Sequence, residues 1–250
     1  MVYLVVLKLL DKFLKIENKL VIPKKSLGQN FLIDNNIANK LLKSKNISNN
    51  NIIEIGPGLG ALTEKIIKMG PKEYIIVEKD NLIYKKLLEK FKKNNINIIN
   101  QDALKYNFTE LSQFIIISNL PYNISSKFLL KTIKLNSNIT EIVCMIQSEL
   151  AEKFDYSKGK MNKYKFLCKY CTDYKIIFNV SSKVFFPQPK VESKVVKIST
   201  FIAKFKRAHD SSTACSVGIW SVSGPATRLT SSDFNASYVR CLIRPACPVT

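Results

Sequence analysis

The chain predicts an α/β fold, a mostly parallel sheet with helices on both faces. Three observations carry that expectation. Short apolar runs alternate with stretches of helical spacing. The first of these runs ends in a glycine-rich turn that opens a helix. The chain has 250 residues, 46% of them hydrophobic, which is enough for one large core or a domain with a small appendage.

The elements follow in order. Asn35 to Lys43 has helical spacing, and Asn51 to Ile55 reads as a short buried strand. Gly56-Pro57-Gly58-Leu59-Gly60 then leads into a helix over Ala61 to Met69. A second strand, Tyr74 to Val77, is followed by a helix over Asn81 to Lys93. Ile96 to Asn100 and Phe114 to Ser118 give two more strands, and Ser125 to Leu135 a helix. Strands at Glu141 to Ile146, Tyr174 to Val180 and Val191 to Ile198, with a helix at Gln147 to Phe154, complete the series. No internal repeat is present.

The candidate chemistry gathers at the ends of these strands, where open α/β sheets bind ligands. Glycines after the first strand let the backbone approach a nucleotide closely. Glu78 stands eighteen residues beyond Gly60, a distance at which a carboxylate takes both ribose hydroxyls of an adenosine ligand. In Gln101-Asp102-Ala103, Asp102 is a candidate acceptor for an adenine amino group. The turn also satisfies a dinucleotide fingerprint with Ala61 in last place, so a nicotinamide enzyme is the competing reading.

Asn119-Leu120-Pro121-Tyr122 argues against that competitor, because it has no task in hydride transfer. It does suit a different one. An exocyclic amino group on a base is a poor nucleophile, since its lone pair is delocalised into the ring. A site that alkylates it must accept hydrogen bonds from the N–H groups and hold the base flat. The Asn119 side-chain oxygen and the Leu120 or Pro121 carbonyls are candidate acceptors, and Tyr122 offers a stacking face. Pro121 has a carbonyl and no competing N–H.

With these residues in place, the stretch from about Pro23 to about Ile198 resembles the bacterial-type small-subunit (16S-type) ribosomal RNA adenine N6-dimethyltransferases, the KsgA type. The blocks that carry the resemblance are Lys25 to Leu32, Glu54 to Gly60, Val77-Glu78, Gln101 to Ala103, Ser118 to Ser126 and Phe185 to Ser193. The resemblance implies a Rossmann-like class I S-adenosylmethionine-dependent methyltransferase with a seven-stranded sheet whose last two strands are antiparallel. It implies that Asn30 and Leu32 close over S-adenosylmethionine, and that Gly56, Gly58 and Gly60 pass under its methionine part. Glu78 would hold the ribose, and Asp102 with Ala103 the adenine. Asn119, Leu120 and Pro121 would orient the target N6 between Tyr122 and Phe185. The implied substrate is two adjacent adenosines in a hairpin loop near the 3′ end of small-subunit ribosomal RNA, modified during ribosome maturation. A related class methylates one adenosine of large-subunit RNA, and members of the superfamily can act by docking alone as assembly factors. The Lys25 to Leu32 and Asn119 to Ser126 blocks favour the small-subunit type.

No metal is expected, because methyl transfer from a sulfonium needs none. The single histidine, His209, lies beyond the resembling core, so a Ser-His-Asp or zinc-histidine site has no parts there. Cys168 and Cys171 have metal-like spacing but no second pair, and read as packing residues. Glu149 and Glu152 read as a solvated helix face, and Met145 and Phe154 as core.

The net charge of +20 suits a polyanionic partner such as ribosomal RNA, although abundant Lys, Asn and Ile also reflect general composition. Three segments are expected: an N-terminal extension over 1–22, a methyltransferase domain over 23–200 and an atypical tail over 201–250. Val2 to Leu10 is apolar but too short to span a bilayer, and Asp11 to Leu20 has helical spacing. The segment lacks arginine and a small-residue cleavage site, so secretion is not expected. A cytoplasmic protein with an extra N-terminal helix is the preferred reading, an organelle-targeting peptide or an upstream start codon are the alternatives, and a monomer is expected. Every lysine lies at or before Lys206 and every arginine after it, which suggests that the tail has a separate or frameshifted origin. The family's C-terminal helical domain has no counterpart there, and a disordered tail is expected.

Overall fold

The computed structural model describes residues 22–43, 47–108, 111–135 and 138–200, with the backbone of 15–16 and 19–20. The apolar stretch Val2 to Leu10 and the tail expected over 201–250 lie outside the described residues.

The sheet has seven strands in the order β6-β5-β4-β7-β8-β11-β9. Five are parallel: β4 (Asn51–Ile55), β5 (Glu73–Glu78), β6 (Asn97–Asn100), β7 (Phe114–Asn119) and β8 (Ile139–Gln147). The last two, β9 (Thr172–Val180) and β11 (Ser193–Thr200), are antiparallel, with β11 inserted between β8 and β9. This is the expected seven-stranded, Rossmann-like arrangement. Alternate residues of the central strands feed two cores. Ile53, Ile55, Ile75, Val77 and Ile116 enter one, and Ile52, Tyr74, Ile76 and Ile117 the other. Both faces of β4 are therefore buried, which explains its continuous apolar run. Met145 and Phe154 are core residues.

Helices α1 (Asn35–Lys43), α2 (Thr63–Lys68), α3 (Asn81–Lys90), α4 (Ser125–Leu135) and α5 (Ser148–Phe154) lie close to their predicted positions. The α3 prediction overshoots, because its C-terminal cap falls at Phe91, which turns inward and is buried. Glu149 pairs with Lys153 and Glu152 with Lys194 on the exposed side of α5.

Three features escaped the sequence. Helix α6 (Lys163–Cys171), which carries Cys168 and Cys171, is not among the predicted helices; Asn162 caps it, accepting from the N–H groups of Tyr164 and Lys165 at 2.8 and 3.0 Å. Cys168 lies buried on this helix, and burial pushes its thiol up to about 12, so it behaves as a packing residue. Second, Phe31–Leu32 (β3) pairs antiparallel with Phe185–Phe186 (β10). Third, the helix expected over Asp11 to Leu20 is replaced in part by an antiparallel pairing of Lys15–Ile16 (β1) with Lys19–Leu20 (β2). Asn18, a turn-favouring residue, falls between them. Among the described residues no helix is long and apolar enough to cross a membrane.

Candidate active site

β4, β5 and β7 end at one cleft that is open to solvent. Its lining includes Asn30, Leu32, Gly56, Gly58, Glu78, Asp102, Ala103 and Asn119 to Tyr122. Two predicted residues do not line it. A Cβ on Gly60 would meet the Phe91 ring at 3.0 Å, so Gly60 packs the turn against α3. Phe185 is 2% exposed and sits in the second core, paired in register with Leu32.

The glycine turn is held from below. Glu54, at the end of β4, is buried and accepts from Thr63 Oγ1 at 2.6 Å and from the Tyr74 hydroxyl. Burial pushes Glu54 up to about 7, against the pull of these two hydrogen bonds. The network ties the end of β4 to the starts of α2 and β5. Above it, Gly56 has φ +60°, and its N–H donates to the Val77 carbonyl at 2.9 Å. A Cβ there would lie 2.9 Å from Pro121 Cγ. The glycine turn and the Asn119 turn are thus in direct contact.

Glu78, at the end of β5, is 6% exposed. Burial pushes it up to about 7, opposed by hydrogen bonds from the backbone of Asp80, Lys79 and Gly58. Asp102 accepts from Lys79 Nζ at 2.9 Å and from the Leu104 N–H at 2.9 Å. Burial acts to raise it, but those donors hold it below the usual carboxylate range.

At the end of β7, Asn119 Nδ2 donates to the Asn30 carbonyl at 2.9 Å. A carbonyl only accepts, so this bond fixes which way the amide faces. Asn119 Oδ1 is left buried, with no hydrogen-bond partner. An orphaned buried acceptor costs about 1–3 kcal/mol, and its retention points to a donor that arrives with a ligand. The two neighbouring carbonyls are not equivalent. Pro121 O accepts from Ser125 Oγ at 2.9 Å and from the N–H groups of Ile124 and Ser125, both at 3.2 Å, closing the entry to α4. Leu120 O meets only a long 3.5 Å contact from Ser125 Oγ. Of the two predicted carbonyl acceptors, Leu120 is the one left open. Tyr122 is fixed by a 2.6 Å hydrogen bond between its hydroxyl and Ser193 Oγ, and burial raises its phenol pKa.

A strap formed by residues 24–32 crosses the cleft and is anchored at both sides. On one side, Asp80 accepts from Lys24 Nζ at 2.8 Å and Gln29 Nε2 at 3.2 Å, while its other oxygen caps α3 through the Leu82 N–H at 2.9 Å. Burial acts to raise Asp80, and these donors outweigh it and lower the pKa. On the other side, Asn123 Nδ2 donates to Ser26 O at 3.0 Å. Sequence reasoning missed Asp80, Gln29 and Ser193. Asp80 carried a signal, an Asp directly before a helical run; the other two are recognisable only from the tertiary contact.

The profile of the ribosomal RNA adenine dimethylase family matches residues 22–210. The chain belongs to that family. It is 40% identical over 186 residues to ribosomal RNA small subunit methyltransferase A of Malacoplasma penetrans (strain HF-2), covering 72% of this chain and 66% of the relative. The methyltransferase A of Metamycoplasma arthritidis (strain 158L3-1) is 38% identical over 184 residues, covering 72% and 70%. The chain therefore spans about two thirds of the length of these curated relatives. Among solved structures, a dimethyladenosine transferase from Plasmodium falciparum superposes with a TM-score of 0.63 at 26% identity, covering 72% of this chain and 66% of that one. The 23S rRNA methyltransferase ErmE superposes with a TM-score of 0.62 at 22% identity, covering 68% and 70%, a likeness of fold. Among the described residues no cluster of His, Cys, Asp or Glu could hold a metal ion.

Proposed function

We propose that the chain is an S-adenosylmethionine-dependent dimethyltransferase acting on N6 of two adjacent adenosines in the 3′-terminal hairpin loop of small-subunit ribosomal RNA. The observation that carries this reading is the buried, unpartnered Asn119 Oδ1 beside the open Leu120 carbonyl. Together they offer two acceptors for the two N–H groups of an exocyclic amine. The names of the curated relatives and of the Plasmodium structure support the substrate class.

The cleft fits the methyl donor. Glu78 is a buried carboxylate at the ribose distance, Asp102 and Ala103 flank the adenine position, and Gly56 and Gly58 leave no side chain under the ligand. S-adenosylmethionine, when bound, supplies an electrophilic methyl group. The chain's own residues then act by position and polarisation. Asn119 and Leu120 draw electron density toward the amine nitrogen and aim its lone pair, and Tyr122 stacks on the base. Stacking on one aromatic ring is worth about 1–3 kcal/mol, which offsets much of the few kcal/mol needed to extrude the base. In this reading Phe185 reaches the second face of the base only if β3 and β10 part. We assign 23–200 to the catalytic domain, with 1–22 and 201–250 as flanking segments, in a cytoplasmic monomer that works on the small-subunit particle.

Labelled S-adenosylmethionine incubated with small ribosomal subunits lacking the modification tests this directly. Dimethyladenosine in the hydrolysed small-subunit RNA is the expected product. Label in large-subunit RNA instead would assign the chain to the other substrate class. Donor binding without transfer to either would leave only a docking role.

The Glu78 environment gives a second expectation. The ionised carboxylate accepts from both ribose hydroxyls, whereas the protonated form loses one acceptor. With the group titrating near 7, donor affinity should fall by about tenfold as pH drops from 8 to 6. The sign is opposite for the stability of the unliganded protein, which the raised Glu78 favours at low pH and ceases to favour as pH rises through 7. Calorimetric titration of donor binding across this range checks the first effect, and Glu78→Gln should bind weakly with a flat profile.

A further inference from the structure

A second concavity lies outside the cleft, between α1 and α2. Lys40, Lys43, Lys65 and Lys68 line it, with Asn36 and Asn39 at its rim. Each lysine pair is spaced i, i+3, so each projects from one face of its helix, and the two pairs border one groove. Leu42 and Met69 complete the lining, and no carboxylate contributes to it. The nearest carboxylates along these helices are engaged elsewhere. Glu64 pairs with Lys90 at 2.5 Å, and Asp34 accepts from the Asn36 and Ile37 N–H groups at 2.7 and 3.2 Å. Lys40 Nζ stands 4.3 Å from the centre of the Phe178 ring. Among the described residues, Lys43, Lys65 and Lys68 have no ion-pair partner.

The direction of the groove is set by topology. α1 begins three residues after Leu32, and α2 three residues after Gly60, both next to the cleft. Both helices then run back along the sheet toward the start of a central strand. Lys40, Lys43, Lys65 and Lys68 fall in the last turns of α1 and α2, so the groove lies toward the ends of these helices that point away from the cleft.

We propose that this groove binds the phosphate backbone of the RNA strand that flanks the target nucleotide. Ammonium groups on both walls and asparagine amides at the rim match phosphate and ribose oxygens. A flat anionic bilayer fits a concave channel less well than a single strand does. The inference rests on the RNA reading above and names where that RNA runs after it leaves the cleft. The same lysines also sit in the last turns of their helices, where cations offset the macrodipole, so the test must separate binding from helix stabilisation.

The test is a triple variant, Lys43→Gln/Lys65→Gln/Lys68→Gln, with single Lys65→Gln as a milder second variant. Binding of purified small-subunit ribosomal RNA is measured over a salt series, alongside donor affinity, melting temperature and binding to vesicles of anionic lipid. Each phosphate contact contributes about 0.7–0.9 to the slope of log affinity against log salt. The triple variant should lose about two to three of these contributions, and the single variant about one, with donor affinity unchanged; a lower melting temperature with an unchanged slope reports helix stabilisation alone. An unchanged slope in both variants, or loss confined to vesicle binding, would overturn the groove assignment. Methyl transfer reports separately: a wild-type protein that fails to transfer yet shows the slope change loses the enzyme reading and keeps the groove.

Discussion

Asn119→Ala is expected to lower the rate of methyl transfer by about 10²–10³-fold, the scale seen when one preorganised hydrogen-bonding group is removed from an active site. The same substitution should weaken donor binding much less. Among the described residues the Asn119 side chain holds the strap by one bond, 2.9 Å from Nδ2 to the Asn30 carbonyl. One such neutral hydrogen bond is worth about 0.5–1.5 kcal/mol, a factor of roughly 2–12 in affinity. Single-turnover transfer and calorimetric donor binding, measured on the same preparation, separate the two effects. Equal losses in both would mean that Asn119 serves the strap and not the amine, and would remove the main support for the acceptor site.

Gly56→Ala should be strongly destabilising. Its φ of +60° costs an L-residue about 1–2 kcal/mol. The new Cβ would also meet Pro121 Cγ at 2.9 Å, and a proline ring cannot rotate away. Overpacking of this kind costs about 1–3 kcal/mol. Together they amount to roughly 2–5 kcal/mol, a drop in melting temperature of roughly 5–20 °C for a domain of this size. Gly70→Ala is the control. Its φ is +65°, but nothing lies within 4 Å of the added Cβ, so only the backbone cost remains. A Gly56 variant no less stable than the Gly70 variant would show that Pro121 yields. In that case transfer, which depends on the turn Pro121 belongs to, should fall out of proportion to stability.

The parallel half of the sheet was legible because its chemistry is local. Ile52 and Ile53 face opposite cores, so the run reads as a buried strand without any partner in view. Gly56, Glu78 and Asn119 were legible by position, since each stands at a strand end or directly after one. What escaped was settled by atoms far apart in sequence. Phe185 is an aromatic in the right block, yet its strand pairing with Leu32 turns it into the core. Leu120 and Pro121 offer equal carbonyls on paper, and it is the entry to α4 that occupies Pro121, through the Ser125 hydroxyl and the Ile124 and Ser125 N–H groups. Helix α6 escaped the sequence although Asn162, a capping residue, stands directly before it.

The position of β11 sets an order of assembly. It is the last described strand in the chain, yet it stands inside the sheet, and it is the only partner β9 has there. A nascent polypeptide that has not yet emerged past Thr200 therefore leaves β8 as a bare edge and β9 without a place in the sheet. It also leaves Tyr122 without Ser193, its hydroxyl's partner. Such an edge invites pairing with another chain. The five parallel strands can form as they are synthesised, but Tyr122 is tied down only by the last described strand, so a truncation just before Ser193 removes β11, leaves β9 outside the sheet and loosens Tyr122.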